Sequence, residues 1–593
     1  MSEKEEKAVA GGKQIGRVLK EEGVEYMFGL QGGHIWSILV GAGMNGVKMV
    51  HFRHEQAGGY AADAYARASG KVGICFGTAG PGMTNQVSGI AQAYFAKSPM
   101  VALYGSHPLM EDGRGSLQEG SAEPMLGKVT KWTKRVPSPN LIAFYTKKAI
   151  RDAMTYPQGP VALEFPIDVQ LARTTFSQQS GFLDNAYPEP DPPAATADSV
   201  EKAVKILLAA ERPVIAGGEA IFWSHAEEEL KEFAELTKIP VITRRVSRGS
   251  VPEDHPLAFS GRVRGKILRA ADVAVTVGLN LGFLEGYGAW AANAKLIQIT
   301  EVKADIEFAA KSELVIIASP KMALQQMIAV ARQQINKSPV KRDAWLAQVE
   351  ELKSAERKRL VDDAEKVKAN KPMHPSWVAQ AVLAGMDKDA TIILDSYTSS
   401  AYFTERFIGQ HSGSVLDAGM VAGIGHGVGM AVGAQLARPG RQILSVMGDG
   451  GMGLGGMDVE TAVRCQTPVV YLVNNNSDFI AGSGPLFLKA VKTPGKVYAD
   501  APWGIAPTNY AKMFEACGAN GIRVEDPEKL TDATREAFAS GKPTVLDVVT
   551  DNRIGPPRSV AAPGPKTVTG FMSFFDPEDF DEPLRSTLFP SNK

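Results

Sequence analysis

The chain has 593 residues, with 64 Lys plus Arg against 65 Asp plus Glu, so its formal charge is −1. That balance offers no basic surface for nucleic acid or an anionic membrane, and 44% hydrophobic with 22% charged residues is an ordinary soluble composition. At roughly 150 residues per domain the length calls for three or four domains. The three cysteines, Cys75, Cys465 and Cys517, lie far apart without metal-ligand spacing, as expected of a reduced, cytoplasmic protein. Met1–Lys13 is a charged Glu/Lys segment with no apolar core, so no signal peptide is expected. No apolar run reaches the roughly 18 residues of a membrane span.

In chain order, a helix is expected over Gly16–Glu22 and strands over Tyr26–Leu30 and Val47–Phe52. The alanine-rich Glu55–Ala68 reads as a helix, Val72–Phe76 as a strand, Met83–Ala96 as a helix and Met100–Gly105 as a strand. The strand Gly159–Pro166 closes this first unit, placed at 1–185. A linker rich in Pro, Asp and Ser follows at Gln178–Ala197. The central unit, 196–340, alternates the helices Val200–Ala210 and Ala226–Thr237 with the strands Val214–Gly217, Val241–Thr243, Val273–Val277 and Leu296–Ile299. A charged helical segment, Lys341–Lys371, precedes the third unit at 372–550. Strands alternating with helices throughout predict an α/β fold of three consecutive doubly wound parallel-sheet domains. The tail, 551–593, carries many prolines and Phe571, Phe574, Phe575, Phe580 and Phe589. It is too apolar for a simple disordered tail; it reads as an active-site lid or as a segment packed away from any site.

The most informative stretch is Ser445-Val-Met-Gly-Asp-Gly450. An apolar strand (Ile443, Leu444, Val446, Met447) stops at Gly448-Asp449-Gly450, a helix is expected from Gly451 to Cys465, and a second apolar strand ends at Asn475-Asn476. A right-handed crossover places the two strands side by side and parallel. Asp449 and Asn476 then both lie at carboxyl ends of strands, where open α/β sheets bind ligands. A carboxylate and an amide oxygen beside exposed glycine N–H groups suit a magnesium ion holding a diphosphate. On this motif alone, a nucleotide would serve equally well.

Glu55 begins a helix straight after a strand, again at the carboxyl edge of the sheet. Small residues behind it would partly desolvate the carboxylate. Taken singly, a Glu at a helix start is also simply favoured by the helix dipole. Gly77-Thr-Ala-Gly-Pro-Gly82 is a tight turn between strand and helix, where backbone comes close to a ligand.

Together Arg53-His-Glu55, Gly77-Thr-Ala-Gly-Pro-Gly-Met-Thr-Asn85 and Gly448-Asp-Gly450 with Asn475-Asn476 resemble the thiamine diphosphate enzymes of the acetolactate synthase and 2-hydroxyacyl-CoA lyase type. The resemblance runs in order from about residue 12 to 550. It implies three domains, named pyrimidine-binding, central and diphosphate-binding, with thiamine diphosphate and Mg²⁺ as cofactors. Glu55 would hydrogen-bond the aminopyrimidine ring, and Asp449 and Asn476, with the carbonyl of Asp478, would hold Mg²⁺. Gly448, Gly450 and Gly451 would admit the diphosphate, Ile424 of Gly423-Ile-Gly425 would support the bent cofactor, and Gly80, Gly82, Asn85 and Asn475 complete the cofactor-binding set. Gly115-Ser-Leu-Gln118-Glu119 resembles a family segment whose glutamine faces the active site, so Gln118 is a candidate substrate contact. In the family, Glu55 and the metal site serving one cofactor come from different subunits, which implies a homodimer or homotetramer with the site at the interface.

Gln31-Gly-Gly-His34 follows the first strand and looks more like the 2-hydroxyacyl-CoA lyases, in particular the branch acting on 2-hydroxyisobutyryl-CoA. His34 would then assist proton transfer at the substrate hydroxyl; a turn histidine bonded to backbone is the plainer reading. The central unit has Ile297-Gln-Ile-Thr-Glu301 where flavin-binding relatives carry acidic residues, so FAD is not expected. Arg262, Arg264 and Lys266 are either CoA-phosphate contacts or a solvated basic face. The expected activity is cleavage of a 2-hydroxyacyl-CoA, an acyl-CoA thioester, to formyl-CoA and an aldehyde or ketone. The alternative enzyme is a 2-oxo acid decarboxylase or carboligase of the acetolactate synthase or oxalyl-CoA decarboxylase kind. A catalytically silent subunit would have no need of Glu55, Asp449 and Asn476 together.

Overall fold

The computed structural model describes residues 7–180, 191–306, 311–395, 397–479, 481 and 483–557. Three parallel sheets follow one another, each flanked by helices. The first runs in space Lys48–His51, Tyr26–Gly29, Gly73–Gly77, Met100–Ser106, Pro160–Pro166, Trp132–Arg135. The third runs Val415–Asp417, Thr391–Leu394, Ile443–Gly448, Val470–Asn475, Thr544–Val549, Asn520–Val524. Counted in chain order within its domain, each reads 2-1-3-4-6-5, so the two are topological copies. The central sheet has five strands in the order 2-1-3-4-5. Neighbouring strands are parallel in all three.

In such sheets the order reverses between the first and third strands, and ligands bind outside their carboxyl ends. In the first domain these ends are the turns after Gly29 and Gly77; in the third they follow Leu394 and Gly448. The inner strands Met100–Ser106 and Pro160–Pro166 are buried throughout, as parallel strands covered on both faces must be. Among the described residues no helix is long and apolar enough to cross a membrane.

Three differences from the sequence expectation have physical causes. The edge strands Trp132–Arg135, Ser312–Ile317 and Asn520–Val524 are partly exposed and mixed in polarity, so they carry no apolar run to read. The helix expected over Met83–Ala96 is two, Pro81–Thr84 and Val87–Phe95. The break at Asn85 and Gln86 lets both amides bond outside the helix. The helix expected from Gly451 to Cys465 is divided into Asp449–Gly455, a 3₁₀ turn at Gly456–Asp458 and Val459–Arg464. Here Gly455 packs on the Gly425 carbonyl and Gly456 against Met452 and Phe514. The tail segment expected as a lid lies, from residue 558, outside the described residues.

The first and third domains meet through two helices, Glu55–Ser69 and Gly427–Ala437. A methyl group on Gly429 would sit 2.5 Å from the Ala57 carbonyl oxygen, and one on Gly433 would overlap the Ala61 carbonyl oxygen. Glycine here is a packing requirement. Behind the contact the Asp63–Arg67 pair is buried, and Gln92 Nε2 donates to Asp63 Oδ2 at 2.7 Å. Arg67 Nη1 donates to the Asp417 carbonyl at 2.8 Å, while Arg245 of the central domain places Nη1 3.0 Å from both Asp417 carboxylate oxygens. One residue thus ties all three domains. Gly433→Val should lower unfolding free energy by about 1–3 kcal/mol or more. Gly43→Ala, whose methyl would meet only Met49 at 3.5 Å, should be neutral or raise it by about 0.5–1 kcal/mol. Urea denaturation of the two variants reads the contrast.

Candidate active site

Glu55 opens the Glu55–Ser69 helix directly after the strand Lys48–His51 and is 5% exposed. Asn85 Nδ2 donates to its Oε2 at 3.0 Å. Gln86 Nε2 reaches the carbonyls of Glu55 (3.2 Å) and Phe76 (3.3 Å), and its own Oε1 accepts from the Tyr104 hydroxyl at 2.7 Å. The helix break therefore delivers one amide to the carboxylate and one to the backbone beneath it. The carboxylate is thus buried, oriented by an amide and set on a rigid helix end.

The neighbouring turn brings further predicted residues together. A methyl on Gly32 would lie 2.5 Å from Thr78 Cβ, and Thr78 Oγ1 lies 3.4 Å from His34 Nδ1. The His34 backbone is fixed by Gln170 Nε2, which donates to its carbonyl at 2.7 Å. Burial, with His107 adding to it, lowers the His34 pKa from 6.5 and keeps the ring neutral at pH 7. Gly80 at φ +55° would, with a side chain, meet Gln118 Cβ and its carbonyl oxygen at 3.1 Å. Gln118 is itself left-handed at φ +57°. Thr78 thus lies beside Gly32, His34 and Gly82, whose methyl position it fills at 2.9 Å, and Gly80 lies beside Gln118.

In the third domain Asp449 is 1% exposed at the start of the Asp449–Gly455 helix, and Gly448 precedes it as extended backbone. Its Oδ1 accepts from Gly450 N–H (3.0 Å) and its Oδ2 from Ser477 N–H (2.6 Å). Burial raises its pKa to about 7 against these N–H donors, and the Asp478 carboxylate adds to the rise. A cation at this point would hold it ionised. Asn476 Oδ1 accepts the Asp478 N–H at 3.1 Å, which presents the amide on the same tight loop. Carboxylate, amide and carbonyl oxygens form the hard donor set that suits Mg²⁺. A methyl on Gly450 would fall 2.8 Å from the Phe479 ring, and one on Gly451 3.2 Å from Asp395 Oδ1. Close backbone approach is required at both. Asn475 points the other way: its Nδ2 donates to Thr508 O (2.7 Å) and Asp547 Oδ1 (2.8 Å).

Ile424 is 37% exposed on a loop pinned at both ends. Asp395 accepts from Gly425 N–H (3.0 Å) and Gly427 N–H (2.6 Å), and the Gly423 carbonyl accepts from His426 Nδ1 at 2.9 Å. Asp395 was not singled out from sequence. It follows the strand Thr391–Leu394 at the order reversal, and the same carboxyl-end rule that picks Asp449 would have found it. In the central domain Arg262 pairs with Glu405 (3.4 Å) and Arg264 with Glu285 (3.4 Å), so two of the three candidate phosphate contacts already face carboxylates.

Three family models match in order: the N-terminal thiamine pyrophosphate binding domain at residues 9–125, the central domain at 200–327 and the C-terminal thiamine pyrophosphate binding domain at 398–548. The chain is 32% identical over 549 residues to a probable acetolactate synthase of Mycobacterium bovis, covering 92% of this chain and 97% of that one. It is 28% identical over 577 residues to a 2-hydroxyacyl-CoA lyase of Oryza sativa (92% and 96%) and 26% identical over 564 residues to 2-hydroxyacyl-CoA lyase 1 of Homo sapiens (92% and 96%). With its domains and their order in agreement, the chain belongs to the thiamine pyrophosphate enzymes, whose cofactor is thiamine diphosphate held with a divalent metal such as Mg²⁺.

Proposed function

We propose that this enzyme is a carbon–carbon lyase that cleaves a 2-hydroxyacyl-CoA to formyl-CoA and an aldehyde or ketone, and joins them in reverse. The observation that carries this reading is His34, on a glycine turn with Nδ1 3.4 Å from Thr78 Oγ1, two residues from the Gly80 that packs against Gln118. Bound thiamine diphosphate supplies a stabilised carbanion for breaking a bond beside a carbonyl. Glu55, oriented by Asn85, holds or releases a proton at the pyrimidine ring. Asp449, Asn476 and the Asp478 carbonyl hold the metal, and Gly448, Gly450 and Gly451 leave backbone room for the diphosphate. Gly80, Gly82 and Asn85 would shape the pyrimidine side, and Ile424 would pack against the cofactor. His34 takes the proton of the substrate hydroxyl, and Gln118 contacts the substrate.

The two half-sites are completed between copies of the chain in a homodimer or homotetramer. Leu454, Met457 and Phe479 are 62%, 49% and 42% exposed at the Asp449 end, apolar surface that a partner's Glu55 half would cover. A second reading, an acetolactate synthase-type carboligase, is favoured by the somewhat higher identity to such relatives.

Holoenzyme incubated with a 2-hydroxyacyl-CoA should release formyl-CoA, and with pyruvate should form no acetolactate; the reverse pattern selects the second reading. Glu55→Gln should lower turnover by about 10²–10⁴-fold while cofactor binding with Mg²⁺, followed by fluorescence quenching, is retained. Full activity would remove Glu55 from the mechanism. As a base, His34 must be unprotonated, so kcat/KM should fall as pH drops through its lowered pKa, below 6.5. His34→Gln should cost about 10²-fold and erase that acid limb; a persisting limb assigns it to another group.

A further inference from the structure

The loop carrying Gln118 packs on the core at Leu109, but its tip is not held by apolar packing. Met110 and Leu117 are 75% and 77% exposed, and Gly113, Gly115 and Gln118 all have positive φ. A non-glycine residue in the left-handed region costs about 1–2 kcal/mol, so something must fix the loop from outside. Within the loop, the Glu119 carboxylate gathers the N–H groups of Gly113 (2.6 Å), Gly115 (3.0 Å) and Ser116 (3.0 Å). That closes the loop on itself without attaching it to the domain.

The attachment is ionic. Arg135, at the end of the edge strand Trp132–Arg135, places Nη1 2.6 and 2.7 Å from the two Asp112 oxygens. Its Nη2 lies 3.2 Å from both His107 Nε2 and the His107 carbonyl, and its Nε 3.2 Å from Glu164 Oε1. His107 Nε2 is in turn 2.6 Å from Asp112 Oδ1. Glu164 is 2% exposed and receives the Ala122 N–H at 2.8 Å. One guanidinium therefore joins the loop, the end of the strand Met100–Ser106 and the buried strand Pro160–Pro166. His107, Asp112 and Glu119 present ligand atoms within 4.8 Å of one another. The guanidinium already supplies the positive charge there, so the cluster is an ion-pair node.

We propose that the Arg135–Asp112–His107 node is a positioning device for substrate: it fixes the loop that presses Gln118 against Gly80. The proposal rests on the reading of Gln118 as a substrate contact. Removing Arg135 would strand the buried Glu164, which is strongly destabilising and uninformative. Asp112 is half exposed and reports on the loop alone. In holoenzyme, Asp112→Ala should raise KM for the substrate turned over about tenfold, the loss of roughly one charge-assisted bond. It should leave the half-saturating thiamine diphosphate concentration and the thermal midpoint unchanged. Amide exchange across 113–120 should accelerate while that across 160–166 does not, and Asp112→Glu should recover most of the KM. An unchanged KM, or loop exchange equal to wild type, overturns the node. A lowered thermal midpoint with weakened cofactor binding would make Asp112 merely structural and overturns it too. Gln118→Ala separates the premise: normal kinetics there refutes Gln118 as a substrate contact, whereas a defect in Gln118→Ala with none in Asp112→Ala refutes only the node.

Discussion

The close crossing of the Glu55–Ser69 and Gly427–Ala437 helices governs the rest of the molecule. Gly429 and Gly433 bring the backbones together at Ala57 and Ala61, and every other tie between the first and third domains presupposes that distance. The helix that Glu55 opens is the same one that carries Ala57 and Ala61. The Glu55 carboxylate is thus placed by a rigid packing contact of the kind that preserves local geometry. Arg53, just ahead of it, donates its backbone N–H to Asp458 Oδ1 at 2.7 Å, which secures the same junction from the loop side.

Buried and half-buried carboxylates organise the molecule, and each is answered in a different way. Burial pushes the Asp417 carboxyl up, but Arg245 and Arg67 outweigh it and hold its pKa at about 2. It serves as a permanent charge at the three-domain junction. Asp395 is answered by two backbone N–H groups and shapes the Ile424 loop. Asp449 has N–H donors too, yet burial still raises it to about 7.

The fold was legible in the buried inner strands of the first domain. Strands such as Met100–Ser106 and Pro160–Pro166 are apolar runs because both faces are covered, and their alternation with helices gives the parallel α/β class. The edge strands Trp132–Arg135, Ser312–Ile317 and Asn520–Val524 were not legible because much of each faces outward, while Lys48–His51 and Val241–Thr243, also at edges, were. The interrupted helices at Asn85–Gln86 and Gly455–Gly456 also escaped, since a helical period does not register amides that leave the helix or glycines that another loop crowds.

The sequence by itself determined the chemistry at hand: a carboxylate at Glu55, oxygen donors at Asp449 and Asn476, glycine turns beside both, and the family they mark. Residue type and chain order suffice for that, because strand ends and glycine turns are local features. Only the tertiary structure decided how these groups are aimed. It directed Asn85 to Glu55, turned Asn475 away to Asp547, and brought Gln118 onto Gly80. It also revealed Asp395, Asp417 and the Arg135 node, whose partners lie dozens to hundreds of residues away. Such contacts are set by sheet order and helix packing, long-range properties that no window of sequence contains.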